Sequence, residues 1–202
     1  MTKLTSENMN LAARIEAHAL KAWPAPGEMN FDGWRVKISG GFSQRQDSVT
    51  PLERGQLGLE EKIRWCERFY FDRHMACAVR LTDLYDDEML LPWLEARGYR
   101  SQGLTHVMVA DVTAAAEKPP EHVSFADQAS DDWFGTAMMV DKRAVMHADA
   151  LIFTMTHLPW PHVFVEAGNG VIGGEGGTVA IGCGVIGPEK TTQDLMGIFS
   201  MR

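Results

Sequence analysis

Residues 162–187 read HVFVEAGNGVIGGEGGTVAIGCGVIG, and the meaning of their glycines decides the fold. A dinucleotide-binding loop has the spacing G-x-G-x-x-G where a strand turns into a helix, whose amino terminus then holds the pyrophosphate. A fold of that kind therefore needs a helix directly after the glycines. The spacing occurs twice here, at Gly168, Gly170 and Gly173 and again at Gly182, Gly184 and Gly187.

Neither match is followed by a helical pattern. The residues after Gly173 are rich in glycine and β-branched side chains, which do not propagate a helix, and 188–199 (PEKTTQDLMGIF) has no helical period. A P-loop is also excluded, because Pro188 and Glu189 separate the last glycine from Lys190. This argues against a nucleotide-dependent enzyme and predicts a β-hairpin with a glycine-rich turn near 168–177.

Composition narrows the class of protein further. The chain has 202 residues, of which 45% are hydrophobic and 23% charged, as in ordinary globular proteins. It has no apolar run long enough for a membrane span and no secretory signal at its amino terminus, so we expect a cytoplasmic protein without a membrane partner. The formal net charge of −8 argues against nucleic acid as a partner and mildly favours a cationic small molecule.

In the first half of the chain, the pattern of apolar and polar residues predicts helices that alternate with extended segments. We predict a loop at 24–33 because it is rich in proline, glycine and polar residues. Strands are predicted at 76–83 and 105–112, where apolar residues alternate with polar ones or β-branched residues are frequent. The other elements expected here are a helix from Ser6 to Trp23, strands at 34–40 and 46–52, and helices at 59–73 and 88–97.

The segment 114–122 (AAAEKPPEH) predicts a linker, because it combines small residues with a Pro-Pro pair. It divides the chain into an amino-terminal region, 1–113, and a second region, 123–202. The second region predicts helices at 131–140 and 142–158, the latter with Val145, Ala148, Ile152 and Met155 on one face, followed by strands at 162–168, 178–187 and 194–201. The fold class expected is α/β, of the α+β kind.

Motifs of metal or nucleophilic chemistry do not occur. The seven histidines lack the H-E-x-x-H spacing and there is no G-x-S-x-G elbow, so we expect no metal site and no hydrolase triad. His147 and Asp149 are neighbours in sequence, but helix-surface positions explain them better. Three widely spaced cysteines without C-x-x-C argue against a disulfide framework.

Two stretches of the chain resemble a group of bacterial GCN5-related N-acetyltransferases (GNAT) with an extra amino-terminal region. The first, Glu16–Leu52, departs from the group's pattern at Gln46-Asp47, where the group tends to have Ala-Asn, and at Lys37, where it often has Arg. The second comprises the two helices, the hairpin and Asp194–Arg202. The motifs that carry the first resemblance are Ala22-Trp-Pro-Ala25, Asp32-Gly-Trp34, Arg45 and Ser48-Val-Thr-Pro-Leu52.

The resemblance implies a largely antiparallel mixed sheet flanked by helices, with acetyl-CoA as the co-substrate. The fourth strand of that fold binds the pantetheine arm and its N–H groups can stabilise an oxyanion. By position these residues are Ile198, Phe199, Ser200 and Met201. The next element in the family carries R/Q-x-x-G-x-G/A for the pyrophosphate, and this sequence stops at Arg202 before it. We therefore expect a fragment, with the sheet incomplete at its carboxyl end and with weak or no binding of acetyl-CoA.

The activity implied for the parent protein is acetyl transfer to a small-molecule amine or to a protein amino group. A general base must remove the ammonium proton, and Glu166 and Asp194 are the carboxylates nominated for it. The alternative is a non-catalytic binding module with a degenerate GNAT-like fold. The order of elements allows two arrangements: both halves in one permuted sheet, or an open edge at the last strand that invites a homodimer.

Overall fold

The computed structural model describes residues 6–85, 88–109, 123–158, 162–172, 175–186 and 196–200, and these form a mixed α+β fold. Within them, no helix has the length and apolar character needed to cross a membrane. The helices are α1 Ser6–Lys21, α2 Leu59–Phe71, α3 Leu90–Ala96, α4 Asp131–Val140, α5 Lys142–Met146 and α6 Ala148–Thr156. The strands are β1 Gly27–Phe31, β2 Trp34–Ile38, β3 Val49–Pro51, β4 Val123–Ala126, β5 His162–Ile172, β6 Glu175–Ile186 and β7 Met196–Ser200.

The first sheet has the antiparallel order β1-β2-β3. The loop predicted at 24–33 is wrong over half its length, because β1 occupies Gly27–Phe31. Its middle residues are exposed, so β1 has no alternation of buried and exposed positions to detect. Pairing with β2 makes it a strand, through a tight turn in which Asp32 and Gly33 both have positive φ, 47° and 83°.

The core of the first half lies between β2, β3 and the helices α2 and α3. The helix predicted at 59–73 is confirmed as α2, and Ile63, Cys66 and Tyr70, which share one face of it, are fully buried in this core. Trp34 is also fully buried, as expected of a core tryptophan. The complete buried set of this core is Trp34, Val36, Val49, Ile63, Cys66, Tyr70, Leu90 and Leu94.

Two predicted strands of the first half are wrong. Within 76–83 the chain forms one isolated parallel bridge, between Val79 and Val49. Residues 105–109 have no regular structure, and the remainder of that predicted strand lies outside the described residues. A β-prone sequence becomes a strand only where a sheet edge is available along its length, and β3 is only three residues long.

The second sheet has the antiparallel order β4-β5-β6-β7, so the described chain forms two sheets and the single permuted sheet is wrong. The predicted hairpin is confirmed. β5 and β6 pair from His162↔Val185 to Ile172↔Glu175, with register shifts between Ala167 and Gly168 and between Asn169 and Ile172. Most glycines of the opening stretch therefore lie inside a ladder, and no helix follows the first match.

The helices of the second half are partly as predicted. The helix at 131–140 is confirmed, with the Ser130 hydroxyl capping it by accepting a hydrogen bond from Trp133 N at 2.9 Å. The single helix at 142–158 is wrong, because the chain breaks at His147 (φ −129°, ψ 42°) into α5 and α6. The break changes the helical register, so Val145 and Ile152 are 58% and 43% exposed instead of buried.

The two halves of the chain share one core. Phe42, from the loop after β2, is buried among Trp133, Leu151 and Phe164. Gln46 makes a second link: its side chain is fully buried, and Nε2 donates to Thr154 Oγ1 at 2.6 Å and to the carbonyl of Pro24. The predicted linker, 114–122, lies outside the described residues.

We expect Gln46→Ala to destabilise the protein by about 1–3 kcal/mol, because it leaves the half-buried Pro24 carbonyl without its donor and Thr154 without one partner. Urea unfolding followed by circular dichroism measures the loss. Gln44→Ala is the matched control, since Gln44 is exposed two residues away and should change stability by less than about 0.5 kcal/mol. Equal effects of the two substitutions would contradict the bridging role of Gln46.

Candidate functional site

The last described strand, β7, offers a backbone edge to a ligand. It pairs with β6 through Gly182↔Ser200, Cys183↔Phe199 and Gly184↔Ile198. Within the described ranges, no strand pairs with its other edge. Because the N–H and C=O groups of a strand alternate between its two edges, every second residue of β7 presents them there. An extended ligand that carries amides can hydrogen-bond to such an edge in the manner of an added strand.

The sequence-predicted site residues are only partly brought together. Ile198, Phe199 and Ser200 are consecutive residues of β7, as the resemblance implied. Glu166 lies in β5, opposite Ile181 of β6 and Ser124 of β4. The intervening β6 separates its backbone from that of β7 by two strand spacings, or about 10 Å. Asp194 and Met201 lie outside the described residues.

The loop after β2, Ser39–Asp47, is organised by one carboxylate, and we call it the Asp47 loop. Asp47 accepts hydrogen bonds from the N–H groups of Ser39, Gly40 and Gly41 at 2.6, 3.1 and 3.0 Å, and from the Ser39 hydroxyl. Gly40 and Gly41 have φ of +83° and +107°, which favour glycine. One carboxylate, at position 47, therefore satisfies all four of these donors.

An open surface depression of about 390 Å³, which we call the cavity, lies beside the Asp47 loop. The imidazole of His147 packs on the loop, since a Cβ built at Gly41 would lie 3.1 Å from its Cε1 atom. His147 occupies the break between α5 and α6 and is one of the residues that line the cavity. Sequence patterns missed this site because its two sides are about a hundred residues apart. The lining residues are Ser39, Val145, Met146, His147, Ala148, Asp149 and Ala150.

The Asp-Gly-Trp motif of the resemblance has a structural role. Asp32 accepts hydrogen bonds from Gln56 N at 2.8 Å and Leu57 N at 2.9 Å, and pairs with Lys62 at 2.9 Å. The N–H group of Gln56, followed by the Lys62 ammonium, lowers the pKa of Asp32 to about 2. The chain's own carboxylate therefore occupies the N–H groups that precede α2.

The Ala-Trp-Pro-Ala motif is also structural. Ala22 and Ala25 are buried, and the carbonyl of Trp23 accepts a hydrogen bond from Lys37 Nζ at 2.9 Å. Lys37, where the family often has Arg, is only 2% exposed and also donates to the Leu20 carbonyl at 2.5 Å. Burial lowers the pKa of Lys37. These contacts hold the end of α1 against β2.

The cysteines of the first half are poor nucleophiles. Burial raises the pKa of Cys66 to about 12 and that of Cys77 to about 11. A thiol reacts through its thiolate, which is scarce at neutral pH for both groups. In the part of the chain that the structure covers, no group of three or more histidine, cysteine and acidic residues is arranged to hold a metal ion.

Comparison with known proteins places the chain in a family. Residues 12–182 match the family model described as "Probable histone acetyltransferase Rv0428c C-terminal". The match begins in α1 and ends in β6, so it includes the Asp47 loop and the cavity, whereas β7 lies beyond it. No curated protein and no solved structure matches the chain. Since the matched range covers most of the 202 residues, the chain belongs to this family, whose name denotes a probable acetyltransferase.

Proposed function

We propose that the protein is an acetyl-CoA-dependent N-acetyltransferase of the GNAT type, and that β7 binds the pantetheine arm of acetyl-CoA. The observation that carries the proposal is the edge of β7 that no described strand covers, in a chain whose family name denotes an acetyltransferase. The acceptor proposed is a small-molecule amine or a protein amino group.

The backbone of β7 fits the chemistry of this ligand. Pantetheine is an extended chain with two amides, each of which has one N–H and one C=O group, and a strand edge complements both. The residues proposed for the ligand are Ile198, Phe199, Ser200 and Met201, of which every second one directs its N–H group to the open edge. One such N–H group directed at the thioester oxygen would stabilise the negative charge that develops there when the amine attacks.

The reaction proposed is direct transfer between the two substrates. The amine nitrogen forms a bond to the thioester carbonyl carbon, the C–S bond breaks, and coenzyme A leaves as the thiolate. The nitrogen loses its proton to a general base, for which Glu166 and Asp194 are the proposed groups. Glu166 lies two strands from β7, so a water molecule would have to relay the proton from a nitrogen held near that strand.

Binding measurements with three ligands test this proposal. We expect acetyl-CoA and S-acetylpantetheine to bind the full chain with similar affinities in the millimolar range, and ATP not to bind. The reason is that the pantetheine arm makes the contacts, while the sequence contains no R/Q-x-x-G-x-G/A motif for the pyrophosphate. Ligand-observed NMR detects binding of this strength. Binding of ATP in competition with acetyl-CoA, or no binding of either thioester, would contradict the proposal.

A further inference from the structure

We propose that the cavity beside the Asp47 loop, lined by Ser39 and residues 145–150, binds a primary ammonium group. Asp149 serves as its counter-ion and the His147 ring as a hydrogen-bond acceptor. The role of the cavity as the acceptor site rests on the acetyl transfer proposed above, whereas the binding of an ammonium group does not.

The polar groups of the cavity differ in their free hydrogen-bonding capacity. The Ser39 hydroxyl is already bonded to Asp47, whose carboxylate is occupied by its four donors. His147 and Asp149 make no side-chain hydrogen bond or ion pair with any residue that the structure describes. Two residues whose side chains have unused acceptor capacity therefore line the same space.

The nearby charges leave Asp149 available to a cation. Arg143, one turn before His147, is bound to Asp141, with Nη2 at 2.7 Å from Oδ2 and Nε at 3.1 Å from Oδ1. Its guanidinium is thus held by another carboxylate. The formal net charge of −8 also raises the local concentration of cations over that of anions around the protein.

The remaining walls suit the carbon chain that carries the ammonium. Val145 and Met146 are 58% and 75% exposed, although both are apolar, and both line the cavity. Ala148 and Ala150 add small apolar surface beside them. The volume of about 390 Å³ is within the range of small-molecule sites, roughly 300–1,000 Å³. A primary amine on a short methylene chain matches this combination of walls.

NMR titration of the full chain tests the inference, with the imidazole resonances of His147 as the readout. The probes are a blocked lysine, which carries a primary ammonium, its Nε-acetylated form, which does not, a short lysine-containing peptide, and spermidine. We expect the ammonium probes to shift the His147 resonances in a saturable manner and the acetylated form to leave them unchanged. The relative affinities of the peptide and spermidine show whether a protein amino group or a free polyamine is the better source.

Two substitutions at equivalent helix positions provide the control. Asp149→Asn should weaken binding of the ammonium probes up to about fivefold, as expected for an exposed ion pair. Asp132→Asn should leave it unchanged, because Asp132 has the corresponding first-turn position in α4 away from the cavity. Equal effects of the two variants, or equal shifts with the acetylated probe, would overturn the inference.

The outcome is separable from that of the proposed function. Binding of S-acetylpantetheine without binding of any ammonium probe would refute the ammonium site alone. Binding of the ammonium probes at His147 without binding of either thioester would refute the acetyltransferase proposal and leave the ammonium site standing.

Discussion

Replacing Lys62 by Met is expected to reduce the free energy of unfolding by about 2–3 kcal/mol, because it leaves the acceptors of a buried ammonium without their donor. Lys62 is 1% exposed, and its ammonium donates to the carbonyls of Asp32 and Arg54 while pairing with the Asp32 carboxylate. It also lies 4.9 Å from the centre of the Trp34 ring. Methionine fills the space of the methylenes but leaves these acceptors without their donor.

Urea unfolding followed by circular dichroism measures this loss, and α2 itself supplies the control. Arg64 forms an exposed ion pair with Glu60 one turn away, with side chains 70% and 61% exposed. Arg64→Met should therefore cost no more than about 0.5 kcal/mol. A loss below about 1 kcal/mol for Lys62→Met would contradict the role given to this lysine.

Replacing Trp133 by Ala is expected to cost about 3–5 kcal/mol, because it removes the largest side chain from the core that the two halves share. Trp133 is fully buried and makes edge-to-face contacts with Phe164 and Phe134, with ring centroids 5.2 and 5.5 Å apart. Loss of the indole leaves a cavity between α4 and the second sheet. The midpoint of urea unfolding, read from the ellipticity at 222 nm, should fall accordingly.

Met139 provides the comparison on the same helix. Its side chain is 86% exposed, so Met139→Ala should change the stability by less than about 0.5 kcal/mol. If Trp133→Ala were as mild as Met139→Ala, the second half would not depend on this core.

Local sequence patterns correctly predicted the helices and strands whose packing follows the same pattern. The face of α2 that carries Ile63, Cys66 and Tyr70 is buried as its spacing indicates, and the hairpin of β5 and β6 follows from residues that cannot form a helix. β1 was missed because pairing with β2, rather than burial of alternate residues, makes it a strand. The strand expected at 76–83 is absent for the complementary reason, since no sheet edge lies along it. The same holds for 105–109, the described part of the strand expected at 105–112.

Contacts between distant residues were beyond the reach of sequence patterns. Gln46 donates a hydrogen bond to Thr154, which lies 108 positions away in the sequence. The Asp47 carboxylate accepts hydrogen bonds from N–H groups of its own loop, and no motif around the glycines of that loop indicates this acceptor. The break at His147 was also missed, because a single helical period runs across 142–158.

Sequence reasoning reached the part of the candidate site that is a single strand, and it missed the part that distant residues form together. Ile198, Phe199 and Ser200 lie on β7, an edge strand of the described sheet, where the resemblance expects a strand. Their role toward acetyl-CoA stays a prediction. The cavity at His147 joins Ser39 to residues 145–150, so only the folded chain brings its walls together. The role of Glu166 stays a prediction.

The most direct test of the proposed cofactor site is the protection of β7 from amide hydrogen exchange when the full chain is saturated with S-acetylpantetheine. We predict slower exchange at Ile198, Phe199 or Ser200, at the positions whose N–H groups point away from β6, and unchanged exchange along β1 and β2. Saturation with the ligand that leaves exchange in β7 unchanged, or that protects another part of the chain instead, would contradict the assignment of this strand to acetyl-CoA.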